Sequence, residues 1–187
     1  GFEYTDCSNL TSVTLSGTLQ KIGYRSFAGT ALTRLVLPAS VKEIGGEAFQ
    51  DCLQLTNVEF NKGIQNIKDH AFKNSGLASL ELPEGIKEIG EWSFEGCKSL
   101  KTVQIPQSVT TLGTGAFYTC SALESVVLPS SLTNIGDRTF NGCCHLSAVY
   151  YLGSSCPSLG QNTFADVSND FGFYVKPSAL SALQGIA

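Results

Sequence analysis

Seven cysteines and two histidines are the residues of this 187-residue chain with the most chemistry open to them. A thiol can be a nucleophile, half of a disulfide or a metal ligand, and a histidine can act as a base or a ligand. Five of the cysteines, Cys7, Cys52, Cys97, Cys120 and Cys143, recur at one position, three residues before a leucine. That spacing lacks the paired C-x-x-C arrangement of a zinc or redox site, so no metal is expected. On strands stacked about 4.8 Å apart, Cys97, Cys120 and Cys143 would be within disulfide reach, yet side chains on neighbouring strands point the same way, which is poor geometry for the bond. Cys7 and Cys52 would lie two strands apart and could not pair. The column is read as buried free thiols packing as small hydrophobes. Cys144 and Cys156 flank the last turn and are the one pair placed for a disulfide, and the odd count leaves at least one thiol free.

His70 precedes Phe72 by two residues and His145 directly precedes Leu146. Neither has a Ser, Cys or carboxylate at the spacing of a known catalytic motif. G-x-S-x-G, H-E-x-x-H, the P-loop and G-x-G-x-x-G are all absent. The expectation is a protein with no catalytic residues and no cofactor. Asn9-Leu10-Thr11 is a glycosylation sequon, a motif common by chance. A net charge of −4 and a pI near 5.1 argue against a nucleic-acid surface. No apolar run approaches the roughly 18 residues of a membrane helix, so no membrane insertion is expected of this segment. Gly1 to Leu10 has neither the basic start nor the apolar run of a signal peptide.

The elements that carry these residues are repeats. Cys97–Thr119 reads CKSLKTVQIPQSVTTLGTGAFYT and Cys120–Gly142 reads CSALESVVLPSSLTNIGDRTFNG. The shared template is L-x-x-[LV]-x-[LIF]-P-x-x-[VIL]-x-x-[IL]-G-x-x-x-F. One column runs Leu10, Leu32, Leu55, Leu77, Leu100, Leu123, Leu146; another runs Phe27, Phe49, Phe72, Phe94, Phe117, Phe140, Phe164, the last one residue late. Self-similarity at a fixed short period marks a solenoid, in which each coil buries its apolar face against its neighbours. The L-x-[LIF] spacing of two predicts a strand with one buried face, so the coils should build a parallel sheet along one side. Pro38, Pro83, Pro106 and Pro129 should end those strands, because proline has no N–H for the ladder. The glycine after the isoleucine column (Gly23, Gly45, Gly90, Gly113, Gly136, Gly160) suggests a turn with positive φ, and Lys68 breaks that pattern. The Lys42-Glu43 and Lys87-Glu88 pairs read as solvated turn residues.

In domain terms, residues 1–6 read as the tail of a preceding repeat, 7–167 as seven repeats of 22–24 residues, and 168–187 as a C-terminal cap. The cap should be a strand at Phe171–Val175 followed by a short helix at Ala179–Ile186. An uncapped first coil would make self-association through that end a hazard.

Leu37–Leu55, LPASVKEIGGEAFQDCLQL, resembles the leucine-rich repeat of the BspA-like subfamily, and the resemblance extends from Asn9 to Phe164. It implies an extracellular or cell-surface protein of bacteria or protozoa, and a protein ligand such as a host matrix or microbial surface protein. An intracellular scaffold or effector domain, or a spacer displaying another domain, would use the same fold.

Residues between the apolar columns should face solvent in two rows. The central row is Thr14, Val36, Glu59, Glu81, Gln104, Val127 and Tyr150; beside it lie Ser12, Arg34, Asn57, Ser79, Thr102, Ser125 and Ala148. A varied polar strip on a rigid sheet suits protein recognition. The candidate binding residues are Arg34, Asn57, Glu59, Glu81, Thr102, Gln104 and Tyr150, with Tyr150 either an anchor or a side chain packed on the cap. Glu59 beside Glu81 should repel unless a cation or a basic partner group sits there.

Overall fold

The computed structural model describes residues 7–175. Among them thirteen strands follow in chain order: β1 Lys21–Ile22, β2 Arg34–Val36, β3 Glu43–Ile44, β4 Asn57–Glu59, β5 Asn66–Ile67, β6 Glu88–Ile89, β7 Thr102–Gln104, β8 Thr111–Leu112, β9 Ser125–Leu128, β10 Asn134–Ile135, β11 Ala148–Tyr151, β12 Ser158–Leu159 and β13 Gly172–Val175. All pair in parallel. The fold is a leucine-rich-repeat solenoid of about seven coils with no helix among the described residues. The expected helix at Ala179–Ile186 lies outside the described residues. The expected closing strand is present as β13, which joins β11 in register from Ala148↔Gly172 to Tyr151↔Val175.

The continuous sheet is not the one the strand spacing suggests. It is built from the two-residue strands of the isoleucine column, in the order β1-β3-β5-β6-β8-β10-β12. In it Ile22 pairs with Ile44, Ile44 with Ile67 and Ile67 with Ile89, so each aliphatic side chain stacks on its counterpart one coil away. The longer strands form two separate pieces, β2-β4 and β7-β9-β11-β13. Ser12–Leu15 of the first coil and Ser79–Leu82 of the fourth lie outside both ladders, apart from a single bridge between Glu81 and Gln104. The expected seven-stranded strip is therefore interrupted in two places.

A phenylalanine spine closes each coil. From Phe27 to Phe164 consecutive rings stand 5.3–5.6 Å apart with planes within 8° of parallel. Parallel planes at that centroid distance mean slid rings, the offset stack that the ring quadrupole favours. The loop that carries each ring is itself laddered: Trp92, Phe94 and Gly96 each donate an N–H to the next coil, to Thr114, Ala116 and Tyr118, at 2.8 Å. A segment without strand dihedrals thus satisfies its backbone by stacking on its copy.

Positive φ falls elsewhere than expected. The glycines after the isoleucine column are not left-handed; the left-handed residues come two and six positions later, as Trp92 (φ 54°) and Gly96 (φ 68°) in the fourth coil. At the glycine positions of the column the neighbouring backbone comes close. A Cβ on Gly113 would sit 2.7 Å from the Glu91 nitrogen, and one on Gly136 would sit 2.6 Å from the Thr114 nitrogen. Lys68 keeps the same backbone bond, donating to Ile44 at 3.0 Å, and its turn has the same shape as the others. Its ammonium meets Glu88 at 2.6 Å, and Lys21 meets Glu43 at 2.7 Å. Glu43 and Glu88 are therefore strand residues in ion pairs between coils rather than turn residues, while Lys42 and Lys87 are exposed as expected. Where the third coil lacks the proline, Asn61 takes its place: the amide donates to the carbonyls of Pro38 (2.7 Å) and Val41 (3.0 Å), and its oxygen accepts from Gly63 N–H at 2.6 Å. The late Leu159 and Phe164 still pair with Ile135 and stack on Phe140, so the extra residue is absorbed before β12.

Candidate protein-binding face

The cysteine column is a structural feature. Cys52, Cys97, Cys120 and Cys143 are fully buried, and each thiol donates to the carbonyl of a phenylalanine in the preceding coil: Phe27, Phe72, Phe94 and Phe117, at 3.0–3.4 Å. In the 22-residue coils a hydroxyl occupies the column, and Thr30 and Ser75 contact the Cys52 and Cys97 sulfurs at 3.4 and 3.3 Å. Burial pushes the Cys143 thiol up to about 12 and also raises Cys52 and Cys120. Cys7 departs from the expectation and is exposed. Cys144 and Cys156 are free thiols, so the expected disulfide is not formed.

Neither histidine completes a reactive group. His145 Nδ1 lies 2.6 Å from the Ser121 carbonyl oxygen and 3.5 Å from Cys144 Sγ. A carbonyl oxygen can only accept, so Nδ1 carries the proton and is no base for the thiol. His70 is half-buried, with Nδ1 3.8 Å from Glu95 Oε2, while Lys73 holds the same carboxylate at 3.0 Å. No group of three or more His, Cys, Asp and Glu suited to a metal ion occurs among the described residues, and no helix among them is long and apolar enough to cross a membrane.

The seven candidate binding residues are all exposed, six of them on the long strands and Glu81 at the isolated bridge to Gln104. Alternation places them there: in β2, β4 and β7 the middle residue (Leu35, Val58, Val103) is buried and its two neighbours are exposed. Register then aligns them, Arg34 beside Asn57 and Val36 beside Glu59 in the first piece, Thr102 beside Ser125 and Gln104 beside Val127 in the second. Arg34 forms an ion pair with Glu59 across β2 and β4. Tyr150 packs on the cap without being covered by it. Its ring stacks on Tyr174 of the closing strand at 5.2 Å and 19°, yet it stays 45% exposed, and Tyr174 is 53% exposed. Tyr174 is not among the candidate residues, yet the alternation of Phe171–Val175 puts it in phase with Tyr150.

Glu59 and Glu81 line one opening and are not paired in a ladder. The ladder stops at β4, leaving an open cleft lined by Asn57, Glu59, Phe60, Ser79 and Glu81. Phe60 stands where most other coils carry Leu or Ile, and its ring meets Phe72 edge-on at 6.0 Å. Like charges directly opposite each other weaken a ladder, so the break falls where pairing is least favourable.

The family model for the BspA type leucine-rich repeat region, in six copies, matches residues 2–56 and 42–170. A leucine-rich repeat protein of T. pallidum is 31% identical over 90% of this chain and 77% of its own, with a TM-score of 0.78. A leucine-rich repeat protein from Bacteroides ovatus is 26% identical over 86% of this chain and 50% of its own, with a TM-score of 0.60. A leucine-rich cell surface protein from Faecalibacterium prausnitzii, at 24% identity and a TM-score of 0.62, shares the fold over 98% of this chain and 58% of its own. This chain thus spans about half the length of the latter two. No curated protein matches it. With the repeat template, the parallel ladders and the phenylalanine spine all accounted for, the chain belongs to the BspA-type leucine-rich repeat family.

Proposed function

We propose that this chain is a non-enzymatic protein-binding module of a cell-surface or secreted protein, and that the long-strand face makes the contact. Leucine-rich repeat proteins are typically protein-interaction modules. The observation that carries the reading is the alignment of Arg34, Asn57, Glu59, Glu81, Thr102, Gln104 and Tyr150 on one exposed face held by a rigid core. A preorganised surface loses little conformational entropy on binding, and an exposed tyrosine is a frequent hot-spot residue. A cell-surface location agrees with the relative described as a cell surface protein.

The test is binding to immobilised host matrix proteins, with Glu81→Lys compared against Glu91→Lys, an exposed position outside the long-strand face. The face change should weaken capture and the other should not. The opposite result would assign binding to another side. Labelling of intact against permeabilised cells tests surface location.

A further inference from the structure

We infer that the strip from the sheet break to the tyrosine pair takes an extended segment of a partner protein carrying an apolar or aromatic side chain and, about 14 Å away, an arginine or lysine. This rests on the long-strand face being the binding surface and adds the chemistry of what it binds.

The two ends of the strip differ in kind. At one end Tyr150 and Tyr174 offer a stacked, exposed aromatic pair, with Val127 half-buried next to Tyr150. Such rings are rigid contact surface with little rotamer entropy to lose. At the other end lies the cleft of about 440 Å³ between β4 and the 79–82 segment. Its two carboxylates are unequally served. Arg34 is paired to Glu59, while Glu81 is exposed and has no ion-pair partner among the described residues. A basic group seated between them would meet Glu81 directly and share Glu59 with Arg34, relieving the repulsion between the two glutamates. Asn57 and Ser79 line the same opening and add hydrogen-bonding groups.

The spacing follows from the register. Glu81 bridges to Gln104, Gln104 pairs with Val127, and Val127 with Tyr150, three strand steps in all. At about 4.8 Å per step the tyrosine lies roughly 14 Å from the glutamate. Four residues of extended peptide cover about 13 Å, so the basic and aromatic residues of the partner stand four apart. Gln104 and Thr102, exposed between the two ends, meet the intervening backbone.

The experiment uses fluorescein-labelled ten-residue peptides and polarisation against the full chain. The first probe carries tryptophan and arginine four residues apart in a Gly/Ser background; the second replaces arginine with glutamate. The first should bind with a Kd of about 1 mM or below, weaken with added salt, and bind about tenfold less well to Glu81→Gln and to Tyr150→Ser. The second should bind about tenfold more weakly than the first to the unaltered chain. Both substitutions are at exposed positions, and circular dichroism checks that the fold is kept. Equal binding of the two probes, or no binding of the first at about 1 mM, overturns the inference. If the glutamate peptide binds equally well and Tyr150→Ser still weakens it, the face remains a protein-binding surface and only its charge preference is wrong. If neither face substitution matters for a peptide that does bind, the reading of the face falls as well.

Discussion

Cys143 donates its thiol proton to the carbonyl oxygen of Phe117, one coil back, at 3.2 Å, and is shut off from water. The bond satisfies both groups only while the sulfur is protonated. Burial accordingly pushes Cys143 from 9.0 up to about 12 and raises Cys52 and Cys120 as well. The folded state binds the proton more tightly than the unfolded chain. This contribution is therefore complete below pH 9 and is lost as pH rises from 9 toward 12. The urea midpoint should fall across that window. In Cys120→Ser/Cys143→Ser, which places in the column the residue found naturally at Ser75, the fall should be shallower. An unchanged slope would show that the thiols are not the titrating groups.

The same burial predicts a labelling order. Cys7 and Cys144 are exposed, and Cys52, Cys97, Cys120 and Cys143 are buried. A maleimide should modify Cys7 and Cys144 in the native protein within minutes, and the four column thiols only after denaturation. Rapid native labelling of Cys97 and Cys120 would contradict the buried column.

Phe94 is stacked on Phe72 and Phe117 and has no exposed surface. Phe94→Ala should cost about 3–5 kcal/mol, the range for truncating a buried aromatic. Coils touch only their neighbours, so hydrogen exchange should rise first in the third to fifth coils and least near Phe164. A uniform rise along the chain would show that the solenoid opens as one unit.

Trp92 lies over Gly115 so closely that an added Cβ would fall 2.1 Å from its ring, and Gly115 has φ +60°. Gly115→Ala should therefore destabilise the protein by about 1–3 kcal/mol. Part of the loss is steric, so it should shrink in the Trp92→Ala background. A double-mutant cycle measures this coupling. Additivity would assign the whole cost to the backbone.

What the sequence determined by itself is the solenoid, the register of its columns and the outward position of the candidate binding residues. Leucines at 10, 32, 55, 77, 100, 123 and 146 and phenylalanines from 27 to 164 leave one way to bury their side chains, which is coil upon coil. Strand alternation then decides that Glu81 and Tyr150 face out. The tertiary structure decided what depends on contacts between coils. At its glycine positions the column turned out to lie close to the preceding coil's backbone, where the sequence suggested positive φ. The continuous sheet formed on the isoleucine column, because its two-residue strands stack without a break while the longer ladder opens beside Phe60 and the two glutamates. The tyrosine pair was settled by which residue lies across the gap to the next strand. A repeat pattern specifies what each coil buries; only stacked neighbours specify what each coil touches.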